Sequence, residues 1–320
     1  MRRGLTRIGG LIAAALLAAT QVSAQTAPEQ PAPHRLQWPD PATWNFPQGP
    51  EFQRGRSARY LRDQQRRLDA ALAALQPQRP GTIDAYVVSV ALDSDPLFSR
   101  EAREAGAVLT RRYDAAGRSI TLAGPDGAGG AALPHGSVTA LAHTLARVAE
   151  LADPAEDVLV LFTTSHGFDQ GLAYHDGDSG YGVVSPAWLR DVLGELRLER
   201  RVLLLSACYS GVFVPYLATN DTAIVTAAAR DRTSFGCQAE NDWTFFGDAL
   251  VNRALRQPQP LALAAAEART TIGGWETAQR LTPSNPQVQI GAGATQWLRV
   301  LESRMPRSAS ARVGRPAVAD

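Results

Sequence analysis

Two uninterrupted apolar runs constrain the fold of this chain most. Residues 158–162 read Val-Leu-Val-Leu-Phe, and residues 202–205 read Val-Leu-Leu-Leu. Neither run alternates apolar with polar side chains, which is typical of strands covered on both faces in a parallel sheet. A helix-like stretch separates the two runs. The pattern therefore predicts two parallel strands joined by a right-handed crossover.

Each run ends at a chemically active side chain, His166 after the first and Cys208 after the second. Ligands of open α/β sheets bind beyond the carboxyl ends of the strands, so neighbouring strands would bring both side chains to one rim. A free thiol has a pKa of about 8.5, and a nearby imidazolium favours its reactive thiolate. We therefore predict Cys208 as a nucleophile and His166 as its acid–base partner.

Gly167 directly follows the histidine. Because glycine has no side chain, its backbone N–H can come close to a substrate. We predict that the N–H groups of Gly167 and Cys208 form an oxyanion hole, a contribution typically worth about 3 kcal/mol per donor.

The His-Gly and Cys positions belong to a longer ordered pattern between about residues 157 and 250. The blocks are Ser165-His166-Gly167, Ala207-Cys208-Tyr209-Ser210-Gly211, residues 223–229, Thr233-Ser234-Phe235-Gly236-Cys237 and Thr244-Phe245-Phe246-Gly247-Asp248. In this order the chain resembles the legumain (asparaginyl endopeptidase) family of caspase-like clan CD cysteine peptidases, as a bacterial exported member. The resemblance implies a cysteine endopeptidase that acts through a thioester and needs no cofactor. It implies cleavage after asparagine or aspartate less strongly than it implies the catalytic pair.

Position by position, the resemblance implies the same catalytic pair, Cys208 and His166. The implied substrate-binding residues are Arg100, Ser206, Ser234 and Asp248. Three positions depart from the family pattern. Ser206 replaces the pocket acid two residues before the nucleophile, Glu101 replaces the histidine after the pocket arginine, and Phe98 replaces the asparagine that orients the catalytic histidine.

Other interpretations of these residues remain open. Cys208 is alternatively a buried structural cysteine, or forms a disulfide with Cys237 after export to an oxidising compartment. Asp248 is alternatively a solvent-exposed helix carboxylate. The same acyl-enzyme also serves a transpeptidase or ligase, and loss of catalysis would leave a caspase-like scaffold that binds peptides.

The amino terminus predicts export. A basic start, an apolar stretch at residues 11–19 and the small-x-small Val22-Ser23-Ala24 have the form of a secretory signal peptide. We therefore expect a periplasmic or secreted protein without stable membrane insertion, and the oligomeric state stays open. Lys+Arg 32 against Asp+Glu 31 gives no basic excess for nucleic-acid binding. The spacing of the two cysteines and scattered histidines predicts no metal site.

Strand and helix patterns alternate along the remaining chain. This order predicts an α/β fold, a caspase-like, doubly wound and mostly parallel sheet flanked by helices on both faces. The predicted organisation is a signal peptide at 1–24, a Pro-rich arm and amphipathic helix at 25–80, the peptidase domain at 81–304 and a disordered tail at 305–320. Predicted strands lie at 83–91, 118–123, 157–164, 201–207 and 222–228, and helices near 100–112, 137–151, 186–196 and 243–256, with a hairpin near 171–184.

Overall fold

The computed structural model describes residues 57–319 except 125–132, 177–180 and 239. Its strands are β1 (Ala85–Ala91), β2 (Ser119–Leu122), β3 (Val158–Thr164), β4 (Gly167–Phe168), β5 (Gly171–His175), β6 (Tyr181–Val184), β7 (Arg201–Ser206), β8 (Thr222–Thr226) and β9 (Gln287–Ile290). One sheet has the order β2-β1-β3-β7-β8-β9, and β4-β5-β6 form a second, small antiparallel sheet. Among the described strands of the large sheet, only β9 is antiparallel to its neighbour.

Helices cover both faces of the large sheet. They are α1 (Ala58–Ala73), α2 (Pro96–Arg112), α3 (Val138–Leu151), α4 (Pro186–Glu195), α5 (Val214–Leu217), α6 (Leu261–Ala278) and α7 (Ala292–Glu302). Side chains of α2, α6 and α7 share one apolar cluster with alternate residues of the central strands. Side chains of α1, α3, α4 and α5 share the cluster on the opposite face.

The β3 strand shows why its sequence lacks alternation. Val158, Val160 and Phe162 belong to the first cluster, whereas Leu159 and Leu161 belong to the second. Successive side chains of a strand point to opposite faces, so a strand covered on both sides needs apolar residues at every position. The predicted α/β class, a mostly parallel sheet with helices on both faces, is confirmed.

The β3 and β7 strands are direct neighbours. They run parallel, and their register pairs Thr164 with Ser206 as the last residues of the two strands. Residues that follow the two strands therefore emerge at the same edge of the sheet, as predicted for His166 and Cys208.

Two helices differ from the sequence expectation. Helix α2 begins at Pro96, after Asp95 at the N-cap, and not near residue 100. Proline at the first helical position is a common start signal, which explains the earlier beginning. The single helix expected at 243–256 is instead a π-helical segment, Gly247–Arg253, followed by a 3-10 turn at Ala254–Arg256.

The carboxyl-terminal segment corrects the prediction of a disordered tail at 305–320. Trp243 Nε1 donates to the Val313 carbonyl at 2.8 Å, and the Ala317 N–H donates to Asp248 Oδ2 at 2.9 Å. Ala317 and Val318 pack against the first apolar cluster. Contacts with residues far away in the sequence order this segment. Apolar periodicity reports only on local structure, so it does not indicate such contacts.

The predicted signal peptide at 1–24 and the Pro-rich arm lie outside the described residues, apart from the end of the 25–80 region. That end contains α1, and Ser57 caps the helix by accepting a hydrogen bond from the Tyr60 N–H. Among the described residues, no helix combines the length and the apolar character that a membrane crossing requires.

Candidate active site

The two strand ends carry the predicted catalytic pair. His166 follows Thr164 by two residues, and Cys208 follows Ser206 by two. The backbone segments at Gly167 and Cys208 are in close contact. A Cβ added at Gly167 would lie 2.2 Å from the Cys208 carbonyl oxygen. Any larger residue at position 167 would push the two segments apart. The oxyanion role predicted for the N–H groups of Gly167 and Cys208 stays a prediction.

The chain turns sharply after Cys208. Tyr209 has φ 56°, in the left-handed region that residues other than glycine rarely adopt. Its N–H donates to the Arg232 carbonyl at 2.8 Å, and its carbonyl accepts from the Val212 N–H at 2.9 Å. These bonds hold the unfavourable conformation and turn the backbone into a 3-10 helix, Ser210–Phe213.

Hydrogen-bond donors surround the Cys208 sulfur. The Ser234 N–H donates to Sγ at 3.2 Å, and the Cys237 thiol is a side-chain hydrogen-bonding neighbour. The pKa of Cys208 is lowered to about 6, first by the bond from Cys237, then by Ser234 and the charge of His166, against the opposing effect of burial. The same bond, and then burial, raise the pKa of Cys237. Both cysteines are free, so the disulfide alternative is not formed in this structure.

The N-cap residue of α2, Asp95, and one residue of the helix, Phe98, contact the imidazole of His166. Asp95 Oδ2 lies 3.6 Å from Nε2, with the two side chains 43% and 45% exposed. The Phe98 ring meets the imidazole edge to face, at 5.0 Å between centroids and an interplanar angle of 82°. Sequence analysis missed Asp95, although the Asp-Pro pair at the helix start signals an N-cap. Phe98 orients the ring by packing, where the family pattern has an asparagine.

Further acidic and imidazole groups extend this side of the site. Asp93 Oδ2 lies 3.5 Å from His175 Nδ1. One ligand atom each from Asp93, Asp95 and His166 lies within 4.8 Å of the others, which is close enough for one metal ion to contact all three. The sequence search missed this set because its members come from two segments that the sheet brings together.

A buried carboxylate lies beneath the two strand ends. Glu101 of α2 is 0% exposed and accepts hydrogen bonds from Thr164 Oγ1 and Thr244 Oγ1, each at 2.8 Å, and from Ser206 Oγ at 3.3 Å. Burial raises the pKa of Glu101 to about 7, the three hydroxyl bonds act against that rise, and the charge of Asp248 adds to it.

Two of the predicted substrate-binding residues require correction. Asp248 is 0% exposed, and its carboxylate accepts from Asn252 Nδ2 at 3.0 Å and pairs with Arg253 at 3.4 Å. Ser206 is buried and bonded to Glu101. A side chain without exposed surface cannot contact a bound peptide, so both residues support the site from within in this structure.

The other two predicted substrate-binding residues are partly exposed. Ser234 lies beside the nucleophile and bonds to it through its N–H. The Arg100 side chain is 25% exposed, with Nε 3.2 Å from Asp242 Oδ1 and a further bond from Nη2 to the Asn241 carbonyl. Both therefore remain available to a substrate, and Arg100 already has an acidic partner.

Comparison with a protein-family model agrees with the resemblance predicted from the sequence. The Peptidase C13 family model matches residues 136–292, a span that contains His166 and Cys208. The resemblance to the legumain family is confirmed. At the level of the family, the match supports a hydrolase of the cysteine peptidase class.

A structural comparison finds similarity to the crystal structure of caspase-1 from Spodoptera frugiperda. The TM-score is 0.44 and the sequence identity 12%, over 68% of this legumain-like chain and 93% of the caspase chain. A search of curated proteins finds no match.

The lowered pKa of Cys208 predicts fast alkylation of this thiol at neutral pH. A thiol with a pKa near 6 is about nine-tenths thiolate at pH 7, whereas one near 8.5 is about 3% thiolate. We expect iodoacetamide to label Cys208 with a midpoint near pH 6 and to leave Cys237 nearly unlabelled, as mass spectrometry of the peptides would measure.

A pair of variants controls this labelling experiment. Cys237→Ala removes the thiol donor, so the midpoint for Cys208 should move upwards, while Cys237→Ser keeps a donor and should move it less. Equal, slow labelling of both cysteines in the wild-type protein would contradict the assignment of Cys208 as the activated thiol.

Proposed function

We propose that this legumain-like protein is an exported cysteine endopeptidase with Cys208 as nucleophile and His166 as acid–base catalyst. The observation that carries the proposal is the pairing of Thr164 with Ser206, which brings the two side chains to one sheet edge. The lowered pKa of Cys208 supports the same roles, because the thiolate is the attacking species.

In the proposed reaction, the Cys208 thiolate attacks the carbonyl carbon of the scissile peptide bond. His166 gives a proton to the leaving amine as the carbon–nitrogen bond breaks, which leaves a thioester on Cys208. Water then attacks the thioester and gives its proton to His166. The carboxylic product leaves, and the Cys208 thiolate and the protonated His166 are regenerated.

Asp95 assists this cycle electrostatically. Its carboxylate lies 3.6 Å from His166 Nε2, which is too long for a strong hydrogen bond but places a negative charge beside the imidazole. The Phe98 ring packs against the imidazole and restricts its rotation. Together the two residues take the place of a single hydrogen-bonding residue that orients the histidine.

We further propose that the enzyme prefers asparagine or aspartate before the scissile bond, through Arg100. The guanidinium is partly exposed, and a substrate amide or carboxylate can replace Asp242 as its acceptor. This part of the proposal rests on one cation, because Asp248 and Ser206 are buried.

Profiling with a diverse peptide library tests both parts. We expect cleavage that is blocked by a thiol alkylating reagent and concentrated after asparagine or aspartate. Arg100→Ala should lower kcat/KM for such peptides by about 10-fold or more and change it little for alanine peptides, because one charge-assisted hydrogen bond is worth about 1.5–3 kcal/mol.

Arg103→Ala is a matched control for this profile, because Arg103 lies on the same helix and should leave the preference unchanged. Absence of cleavage in every library peptide would contradict the peptidase proposal. Cleavage with the same profile in wild type and Arg100→Ala would contradict only the preference.

A further inference from the structure

Glu101 connects three chain segments of the site that are distant from one another in the sequence. Its Oε2 accepts from Thr164 at the end of β3, and its Oε1 accepts from Ser206 at the end of β7 and from Thr244. Thr244 Oγ1 in turn accepts from the Gly247 N–H at 2.9 Å. One carboxylate therefore contacts three chain segments and is itself held by α2.

The position of this carboxylate is tightly defined. A Cβ added at Gly247 would lie 1.7 Å from Glu101 Oε1, so the π-helical segment approaches the carboxylate as closely as only glycine permits. The ends of β3 and β7 each lie two residues before a catalytic side chain. A displacement of the carboxylate would therefore reach His166 and Cys208 through two short backbone segments.

Helix α2 and its N-cap residue bring three side chains to the site. Asp95 and Phe98 contact His166, and Glu101 contacts the strand ends one turn further along. Phe98 and Glu101 are three apart and lie on one face of the helix, and Asp95 directly precedes its first residue, so these contacts move together if the helix shifts. Glu101 is the buried anchor of this face.

We propose that Glu101 is a positioning residue for the proposed peptidase reaction, holding the ends of β3 and β7 so that the thiol of Cys208 and the imidazole of His166 meet a bound peptide together. This inference rests on the proposed function. Glu101 does not touch substrate, because the residue has no exposed surface. It acts through Thr164 and Ser206.

The principal test is Glu101→Gln, which keeps the side-chain shape and removes the charge. We expect kcat to fall about 10- to 100-fold, because a displacement of about 1 Å costs up to about 10²-fold in rate. KM should change little, since Glu101 lies beneath the site. Glu104→Gln, three residues along on the same helix, is the matched control and should retain kcat.

A double-mutant cycle separates positioning from general stability. Thr164→Val removes the hydroxyl that donates to Glu101 and nearly preserves the side-chain volume. If Glu101 acts through this hydroxyl, the double variant should lose little more kcat than Glu101→Gln alone. Full kcat in Glu101→Gln, or losses that multiply in the double variant, would overturn the inference.

The pH profile provides a readout that packing alone would not change. Protonation of Glu101 removes an acceptor from the three hydroxyl donors, so the wild-type profile of kcat/KM should include an ionisation near pH 7 that Glu101→Gln lacks. The titratable groups that face Glu101 are Asp248 and the Cys237 thiol, and both remain in the variant. An unchanged acidic limb would count against the inference.

A labelling arm tests the inference without any peptide turnover. His166→Ala should slow iodoacetamide labelling of Cys208 in the wild-type background and have a much smaller effect in the Glu101→Gln background. The same slowing in both backgrounds would overturn the positioning role. A wild-type protein that cleaves no peptide would instead overturn the proposed function, so the two failures are distinguishable.

Discussion

Cys208→Ala is expected to lower peptidase turnover by at least about 10³-fold, because no thioester can form without the sulfur. The side chain is small and does not belong to either of the two large apolar clusters, so the fold should remain intact. The measurement is kcat/KM on the best library peptide, together with a thermal unfolding curve for each protein.

Two further variants make this result specific. Cys208→Ser keeps nearly the same shape with a weaker nucleophile, so it should also be inactive. Cys237→Ala keeps the nucleophile and should retain activity that shifts to higher pH, because the bond from Cys237 is the largest cause of the lowered pKa of Cys208. Undiminished turnover in Cys208→Ala would refute the proposed chemistry.

The largest expected effect on stability comes from Asp248→Asn. The buried carboxylate pairs with Arg253 and accepts from the Ala317 N–H, which ties the carboxyl-terminal segment to the π-helical segment. Breaking a buried pair leaves the remaining charge uncompensated, at a cost of about 3 kcal/mol. For a chain of this size that lowers Tm by about 6–12 °C.

Asp191→Asn is the control for this measurement. Asp191 is 66% exposed, and among the ion pairs of the described residues it pairs only with the adjacent Arg190. The Tm of the Asp191→Asn variant should therefore differ from that of the wild type by less than about 2 °C. If Asp248→Asn kept its Tm and instead raised KM for asparagine peptides, Asp248 would be a pocket residue and the correction drawn from its burial would be wrong.

The two strands that carry the proposed catalytic pair could be predicted because their signals are local. Uninterrupted apolar runs indicate doubly covered strands, and a reactive side chain directly after such a strand lies at the ligand-binding edge. Asp95 was missed, but the sequence contained a signal for it. The Asp-Pro pair marks the helix start that places Asp95 beside His166.

The surroundings of the pair could not be predicted in this way. Glu101 meets Thr164, Ser206 and Thr244 across separations of 63, 105 and 143 residues. The same holds for Asp248, which has the spacing of a pocket acid in the family pattern but is covered by the carboxyl-terminal segment. Burial and charge pairing depend on which remote segments pack together, and residue spacing does not contain that information.

For this protein, the sequence by itself predicted the α/β class, the two doubly covered strands that precede His166 and Cys208, and the resemblance to the legumain family. Apolar periodicity and short motifs extend over a few residues, so they can be recognised in the sequence alone. The tertiary structure alone decided which carboxylates are buried, why the Cys208 pKa falls and which predicted substrate contacts are enclosed. Those properties depend on distance and solvent exclusion, which exist only after distant segments have packed.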